Sequence, residues 1–268
     1  MGFLNFIFFN MQPQLAIAIK AARKAGAIIN RSSFEPEKIR VSRKESGDYV
    51  TDVDLAVEEA IIEIILEAYP DHSVLGEETG GQKGQNSDHV WIIDPIDGTN
   101  NFVHGLQNYA VSIALAHKGQ ITQACIYDPS RDELFSASRG SGAFLNDRRI
   151  RVSNVSRVSD ALISARFPYT KNDSVTDYAE KSLKLVQGSG GFRRLGSTVL
   201  ELAYVSCGRF DAYFGSNLQN WDVAAASLIV VEAGGLIGDF QGEQTWKQTG
   251  HIVASTPKLF PTLINHFK

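Results

Sequence analysis

In WIIDPIDGTN, residues 91–100, an apolar run ends in two carboxylates, Asp94 and Asp97, which are followed at once by Gly98 and Thr99. Other stretches also put acids at the edge of an apolar segment. Glu77 and Glu78 follow VLG, Asp222 opens a long apolar run after Trp221, and Asp54 lies near the start of a helical pattern. Carboxylates gathered in one place repel one another and repel a phosphate. Bound divalent cations remove both conflicts. With oxygen ligands alone, and no His or Cys at useful spacing, the ion should be hard: magnesium first, manganese second. Gly98 lets backbone N–H groups approach a ligand closely, and open N–H groups at a helix start make a seat for phosphate. Taken singly, each acid has a plainer reading. Asp54 and Asp222 suit helix capping or macrodipole compensation, and Glu77–Glu78 suit a solvated loop edge. The combination with Asp94 and Asp97 is what points to a metal and phosphate site.

These side chains must be held by regular elements. Residues 90–94 read as a buried strand, with a helix beginning near Pro95. From Pro13 to about Asn30, Leu15, Ile19, Ala22, Ala25 and Ile29 recur at helical spacing. KESGDYVTDVD (44–54) is loop-like and turns on Ser46-Gly47-Asp48. A second helix runs from about Asp52 to Ala68, with Leu55, Ile61, Ile62, Ile65 and Leu66 on its buried side and Pro70 closing it. HSVLGEETG (72–80) is a short strand emptying into a polar loop through about Asp88. Two β-rich runs after residue 109, broken at Gly119-Gln120 and at 128–132, predict an antiparallel meander. Then come the strand ALISARFPY, a helix over 173–187, and a helix in GSTVLELAYVSCG capped by Ser197 and stopped by Gly208. The strand RFDAYF, the helix WDVAAASLIVVEAGG, the strands LIGDF and HIVAS, and a final helix through His266 complete the chain. The pattern is α+β in the first half and more regular α/β alternation in the second. A soft boundary near residue 155 divides an N-terminal subdomain, 11–155, carrying most of the candidate ligands from a C-terminal one, 156–268, that completes the site.

The chain of 268 residues, 43 % hydrophobic, is long enough for a large core. Its net charge of −4 gives no basic footprint for nucleic acid. Two cysteines, Cys125 and Cys207, form no framework or metal motif; both read as small core residues, and a reducing cytoplasm is the expected compartment. The apolar opening, residues 1–10, lacks the basic start and cleavage site of a secretory signal and is too short to span a bilayer. It reads as a dispensable extension ahead of Met11, with a weak membrane or partner contact as the competing reading.

GEE (76–78), WIIDPIDGTNNFVHG (91–105) and WDVAAASLIVVEAGG (221–235) closely resemble the signature motifs of the inositol monophosphatase family. KESGDYVTDVD and RRLGSTVLELAYVSCGRFDAYF (193–214) match as well, and the likeness runs from Met11 to the end. It is closest to the family's bacterial SuhB-type branch. The resemblance implies a layered α-β-α-β-α sandwich of the inositol monophosphatase and sugar phosphatase type, and hydrolysis of inositol 1-phosphate or a similar polyol phosphate. It implies two or three magnesium ions: one on Glu77, Asp94 and the Ile96 carbonyl, a second on Asp94, Asp97 and Asp222, and a weaker third using Glu77. Thr99, oriented by Asp54, would help Glu77 position a water, and the N–H groups of Gly98 and Thr99 would seat the phosphate. With Asp97, Asp222 and Arg193, these complete the implied substrate contacts. Lys44 lies in the loop that closes over the site in the family, although a solvated lysine explains it equally well. Lithium inhibition and a homodimer are further implications.

The likeness breaks at Gly215. In inositol-binding members a glutamate often stands there and contacts ring hydroxyls; Asn217, Gln219 or Asn220 would have to substitute. The alternative substrates are fructose 1,6-bisphosphate, a nucleotide 3′-phosphate and histidinol phosphate. Arg193 and Arg194 also fit a plain surface or interface role, and His104 and His117 do not look like ligands. A separate implication of the SuhB-type likeness is a binding role, as a transcription antitermination partner acting with RNA polymerase.

Overall fold

Proline at the first helical position starts α1 (Pro13–Ser33), whose buried stripe is Leu15, Ala18, Ala21, Ala22, Ala25, Gly26 and Ile29. The computed structural model describes residues 12–45, 48–82, 84–167 and 175–268; the 1–10 extension and the Ser46–Gly47 turn lie outside the described residues. Strands β1 (Val41–Glu45) and β2 (Asp48–Thr51) pair antiparallel, so the segment expected to be loop-like is largely a hairpin. Helix α2 (Asp52–Ala68) has the expected bounds and opens with a capping box: the Thr51 side chain accepts from Val53 and Asp54 N–H, and Asp54 accepts from Thr51 N–H. Its buried face differs from expectation. Val53, Val57, Ile61 and Ile65 set the phase, so Leu55 points outward at 48 % exposure while Asp54 and Glu58 turn inward.

Strands β3 (His72–Gly76) and β4 (Gly80–Gln82) precede the long β5 (Asn86–Asp97). A five-residue helix, α3 (Thr99–Val103), follows, then β6 (Ala110–His117), β7 (Gln120–Asp128), β8 (Glu133–Ser138), β9 (Gly142–Leu145) and β10 (Arg148–Arg149). They form one eight-stranded sheet in the order β10-β9-β8-β7-β6-β5-β3-β4, antiparallel except where β3 runs parallel to β5. The expected meander is its β6–β9 portion. The second half contributes β11 (Leu162–Arg166), α4 (Val175–Gly188), β12 (Gly191–Arg193), α5 (Thr198–Ser206) and β13 (Ala212–Gly215). It ends with α6 (Asn220–Glu232), β14 (Leu236–Gly238), α7 (Trp246–Thr249), β15 (Ile252–Ser255) and α8 (Phe260–Phe267). Its five strands make a mixed sheet, β12-β11-β13-β15-β14.

Strand alternation divides the cores. Trp91, Ile93, Val111, Ile113, Leu115 and Cys125 of the large sheet face α1 and α2. Ala110, Ala114, Ala124 and Ile126 on its other face pack against α5 and α6, which also cover Tyr213, Ile252 and Ala254 of the small sheet. Beyond that sheet, Ile163, Ala212, Phe214 and Val253 meet Tyr178 and Leu185 of α4 and Leu263 and Phe267 of α8. The layers are therefore α-β-α-β-α, an α+β sandwich. Helices α5 and α6 lie between two sheets, which is why every residue from Thr198 to Ser206 and from Asp222 to Val230 is buried. The central core is built from both sides of residue 155.

Candidate metal and phosphate site

Strand β5 does not end at Asp94. It continues to Asp97, and helix α3 starts only at Thr99, after Gly98 in a left-handed conformation (φ 102°). In the pairing with β6, Asp94 lies opposite Ser112 and Asp97 opposite Ala110, so three steps on β5 answer two on its partner. This bulge explains the Asp-Pro-Ile-Asp spacing. In a regular strand, residues three apart face opposite sides; one extra residue returns Asp94 and Asp97 to the same side. Proline has no ladder donor to lose there. Both carboxylates then face α5 and α6. Gly98 is required as well, because a Cβ there would lie 2.9 Å from the Asn108 carbonyl.

One carboxylate oxygen from each of Asp94, Asp97 and Asp222 falls within 4.8 Å of the others. Asp97 accepts from the Ser197 hydroxyl (2.5 Å) and Val199 N–H (2.7 Å), at the N-terminus of α5. Asp222 belongs to the capping box of α6, accepting from Gln219 N–H at 2.9 Å, and also from Arg166 Nη1 at 2.8 Å. Capping and membership of the cluster are thus compatible for Asp222. Asp54 is in the same position: it caps α2 through Thr51 and accepts from the Thr99 hydroxyl at 2.9 Å. Ile96 lines the cleft, and its carbonyl accepts from the same Thr99 hydroxyl at 2.9 Å. Glu77 follows β3 into the cleft, its N–H bonded to the Ile93 carbonyl. Its loop is held by Glu58, fully buried, which accepts from Glu78 N–H (3.0 Å), Thr79 N–H (2.8 Å) and the Thr79 hydroxyl (2.5 Å).

Burial and mutual repulsion disfavour ionisation of the clustered carboxylates. Burial pushes the Asp94 carboxyl well above its usual range, and Glu77, Asp97 and Asp222 push it further. Burial and then Asp222 raise Asp97 to about 7, against the opposing Ser197 and Val199 hydrogen bonds. Asp54 is raised by burial, an effect that its bonds from Thr51 and Thr99 oppose. Glu201, on the cleft wall, is raised to about 8, mainly by burial. Asp94 Oδ1 is buried without a hydrogen-bond partner among the described residues. An orphaned carboxylate oxygen amid like charges is costly unless a cation or proton meets it. The all-oxygen donor set fits a hard divalent ion.

Arg193 does not join this site. It ends β12 exposed, with Nη1 bonded to the Phe192 carbonyl, whereas Arg194, the next residue along, lines the cleft. Gly215 and the stand-ins Asn217, Gln219 and Asn220 are not among the cleft-lining residues either. The Lys44 side chain lies outside the described residues. Sequence reasoning missed Arg166, Glu58 and Glu201. Their shared signal was available: a charge inside an otherwise apolar strand or helix, in ALISARFPY, in DLAVEEAII and in VLELAYV. Cys125 is fully buried and its thiol is pushed up to about 12, the behaviour of a core residue.

Residues 10–268 match the model of the inositol monophosphatase family. The chain is 46 % identical over 258 residues to Nus factor SuhB of Pseudomonas aeruginosa, covering 95 % of each chain. A crystal structure of extragenic suppressor protein suhB from Bartonella henselae superposes with a TM-score of 0.92 at 39 % identity, covering 94 % of this chain and 97 % of that one. Inositol monophosphatase from Anabaena superposes at 0.82 with 35 % identity, covering 94 % of each.

Proposed function

The chain belongs to the inositol monophosphatase family, and from that premise we propose that it is a magnesium-dependent phosphomonoesterase acting on inositol 1-phosphate or a similar small polyol phosphate. One observation carries the reading: three carboxylates share a site within 4.8 Å, with Asp94 Oδ1 unmet. Glu77, Asp94 and the Ile96 carbonyl would hold one ion, Asp94, Asp97 and Asp222 a second, and Glu77 a weaker third. Bound there, the ions would acidify water and neutralise charge growing on the phosphoryl and leaving oxygens.

The chain's own residues do the rest. Asp54 takes the Thr99 hydroxyl proton as a hydrogen bond, which turns a Thr99 lone pair toward the cleft. There Thr99 and Glu77 would hold the attacking water, Thr99 accepting a hydrogen bond from it. Gly98 and Thr99 N–H groups would receive the phosphate oxygens. Glu58 fixes the loop that carries Glu77. Water being the attacking group, no covalent phosphoenzyme forms.

The test is a panel of inositol 1-phosphate, fructose 1,6-bisphosphate, a nucleotide 3′-phosphate and histidinol phosphate, with magnesium varied, manganese substituted and lithium added. We expect magnesium-dependent release from inositol 1-phosphate, support by manganese and inhibition by lithium. Equal turnover across the panel would refute the inositol assignment. A homodimer in the cytoplasm is part of the proposal, checked by sedimentation and fractionation; among the described residues no helix is long and apolar enough to cross a membrane. The names of relatives such as Nus factor SuhB support a second reading, a partner of the transcription machinery and RNA polymerase. A pull-down with Asp97→Asn separates the two, since a binding role survives loss of catalysis.

A further inference from the structure

The cleft has two walls of opposite character. Strand ends β3 and β5 of the large sheet, with the start of α6, bring Glu77, Asp94, Asp97 and Asp222; strand ends of the small sheet bring Arg166 and Arg194. Arg166 is the last residue of β11 and stands in register with Gly215 of β13, which offers no side chain beside it. Its side chain is 33 % exposed, and Nη1 is the nitrogen engaged with Asp222. A guanidinium carries five N–H donors and no acceptor, so one ion pair leaves donors for a ligand. Of the neutral side chains on these walls, Tyr49 and Asn100 can meet a sugar hydroxyl, whereas others are engaged within the protein. The Ser197 hydroxyl is committed to Asp97, that of Thr99 to Asp54 and Ile96, and that of Thr198 accepts from Tyr213.

We infer that Arg166, with Arg194 beside it, makes the enzyme select phosphate esters that carry a second anionic group, a carboxylate or another phosphate, over neutral polyol phosphates. This rests on the phosphatase reading above and ranks its substrates: inositol 1-phosphate is hydrolysed, and esters that carry a second anionic group are hydrolysed faster. A phosphoryl group delivered to the carboxylate wall sends the rest of a small ester toward the guanidinium wall. There, an anion gains charge-assisted, often bidentate hydrogen bonds that a hydroxyl cannot match. The competing role is purely internal: Arg166 acts only as the counter-ion of Asp222. That role would alter turnover of every ester alike and leave discrimination untouched.

The ratio of kcat/KM for matched esters separates the two. 3-Phosphoglycerate and glycerol 3-phosphate differ only in a carboxylate against a hydroxymethyl group; fructose 1,6-bisphosphate and fructose 6-phosphate test phosphate as the second anion. The wild-type protein with magnesium should prefer the doubly anionic member by about tenfold or more. Arg166→Gln should bring the ratio to about one, and Arg166→Lys should restore part of it. A ratio near one in the wild type, or one unchanged by Arg166→Gln, overturns the inference. Calorimetric binding of 3-phosphoglycerate and glycerol 3-phosphate to the magnesium-loaded Thr99→Val protein measures the same preference without turnover. Preferential binding with no hydrolysis of any ester by the wild type would uphold the anion selection and refute the phosphatase reading. Hydrolysis without preference would do the reverse.

Discussion

Asp94→Asn should stabilise the metal-free protein while abolishing its response to magnesium. Two unit charges 4.8 Å apart, the upper limit found for the Asp94, Asp97 and Asp222 oxygens, repel by about 3.5 kcal/mol at an effective dielectric of about 20. Three ionised carboxylates would then cost roughly 10 kcal/mol, comparable with the whole stability of an ordinary domain. Without a cation the site must therefore hold protons, in line with the elevated carboxyls of Asp94 and Asp97. A group whose folded-state pKa is raised makes the folded protein bind more protons than the unfolded chain. Stability is then lost as pH rises from about 4 through the folded value, about 7 for Asp97. Asparagine at 94 keeps the volume and can donate its amide to Glu77. In EDTA at about pH 8 we expect a gain of about 3 kcal/mol, or about 6–12 °C in Tm, shrinking toward zero at about pH 5, where protons already do the same work. With magnesium added, the wild type gains and the variant does not. Differential scanning calorimetry at both pH values, with EDTA and with magnesium, reads all four cases. A variant less stable than wild type in EDTA at the higher pH, or a gain equal at both, would rule out carboxylate repulsion as the source of the effect.

Glu58→Gln should cost about 1–3 kcal/mol, because one of two buried acceptor oxygens becomes an amide NH2 facing a donor; it should also weaken the magnesium-dependent thermal shift, since the Glu77 loop loses part of its anchor. Gly98→Ala forces a side chain to φ 102° against the Asn108 carbonyl; a destabilisation of about 2 kcal/mol or more by urea unfolding is expected, together with loss of activity. On the large sheet, the rings of His72 and His89 stack at 4.5 Å and those of His89 and His117 at 4.4 Å. Burial first, and the neighbouring ring second, lower His72 and His89, so the folded state binds fewer protons than the unfolded chain. With magnesium present, the stability they contribute is whole above about pH 6.5 and is lost as pH falls below it; His89→Gln should flatten that acid-side slope in urea titrations.

The site was legible in the sequence where chemistry left an anomaly: acids at the tip of an apolar strand have no place in a core. The way they converge was not legible. Asp94 and Asp97 are three apart, a spacing that in a regular strand separates them, and only the bulge against Ser112 and Ala110 reunites them. The helix expected at Pro95 gave way to this longer strand. Asp52 and Ala68 bounded α2 as expected because the Thr51 cap and Pro70 are local signals; the exposure of Leu55 is not local, since the helix's phase is chosen by where the sheet lies. Helix α6 offered no polar face, and its burial between two sheets explains that composition. Arg193 and Arg194 show the limit of motif transfer: adjacent residues at a strand end face opposite ways, so an offset of one decides which guanidinium meets the cleft. Arg166 belongs to no motif recognised in the sequence, and only the fold brings it to Asp222, 56 positions away.

The carboxylate centre is tested most directly by phosphate release from inositol 1-phosphate with and without magnesium, by the wild type and by Asp97→Asn. Release should require magnesium and be lost in Asp97→Asn while the variant remains folded. Release that persists after thorough chelation, or that survives in Asp97→Asn, would contradict a centre built on Asp94, Asp97 and Asp222.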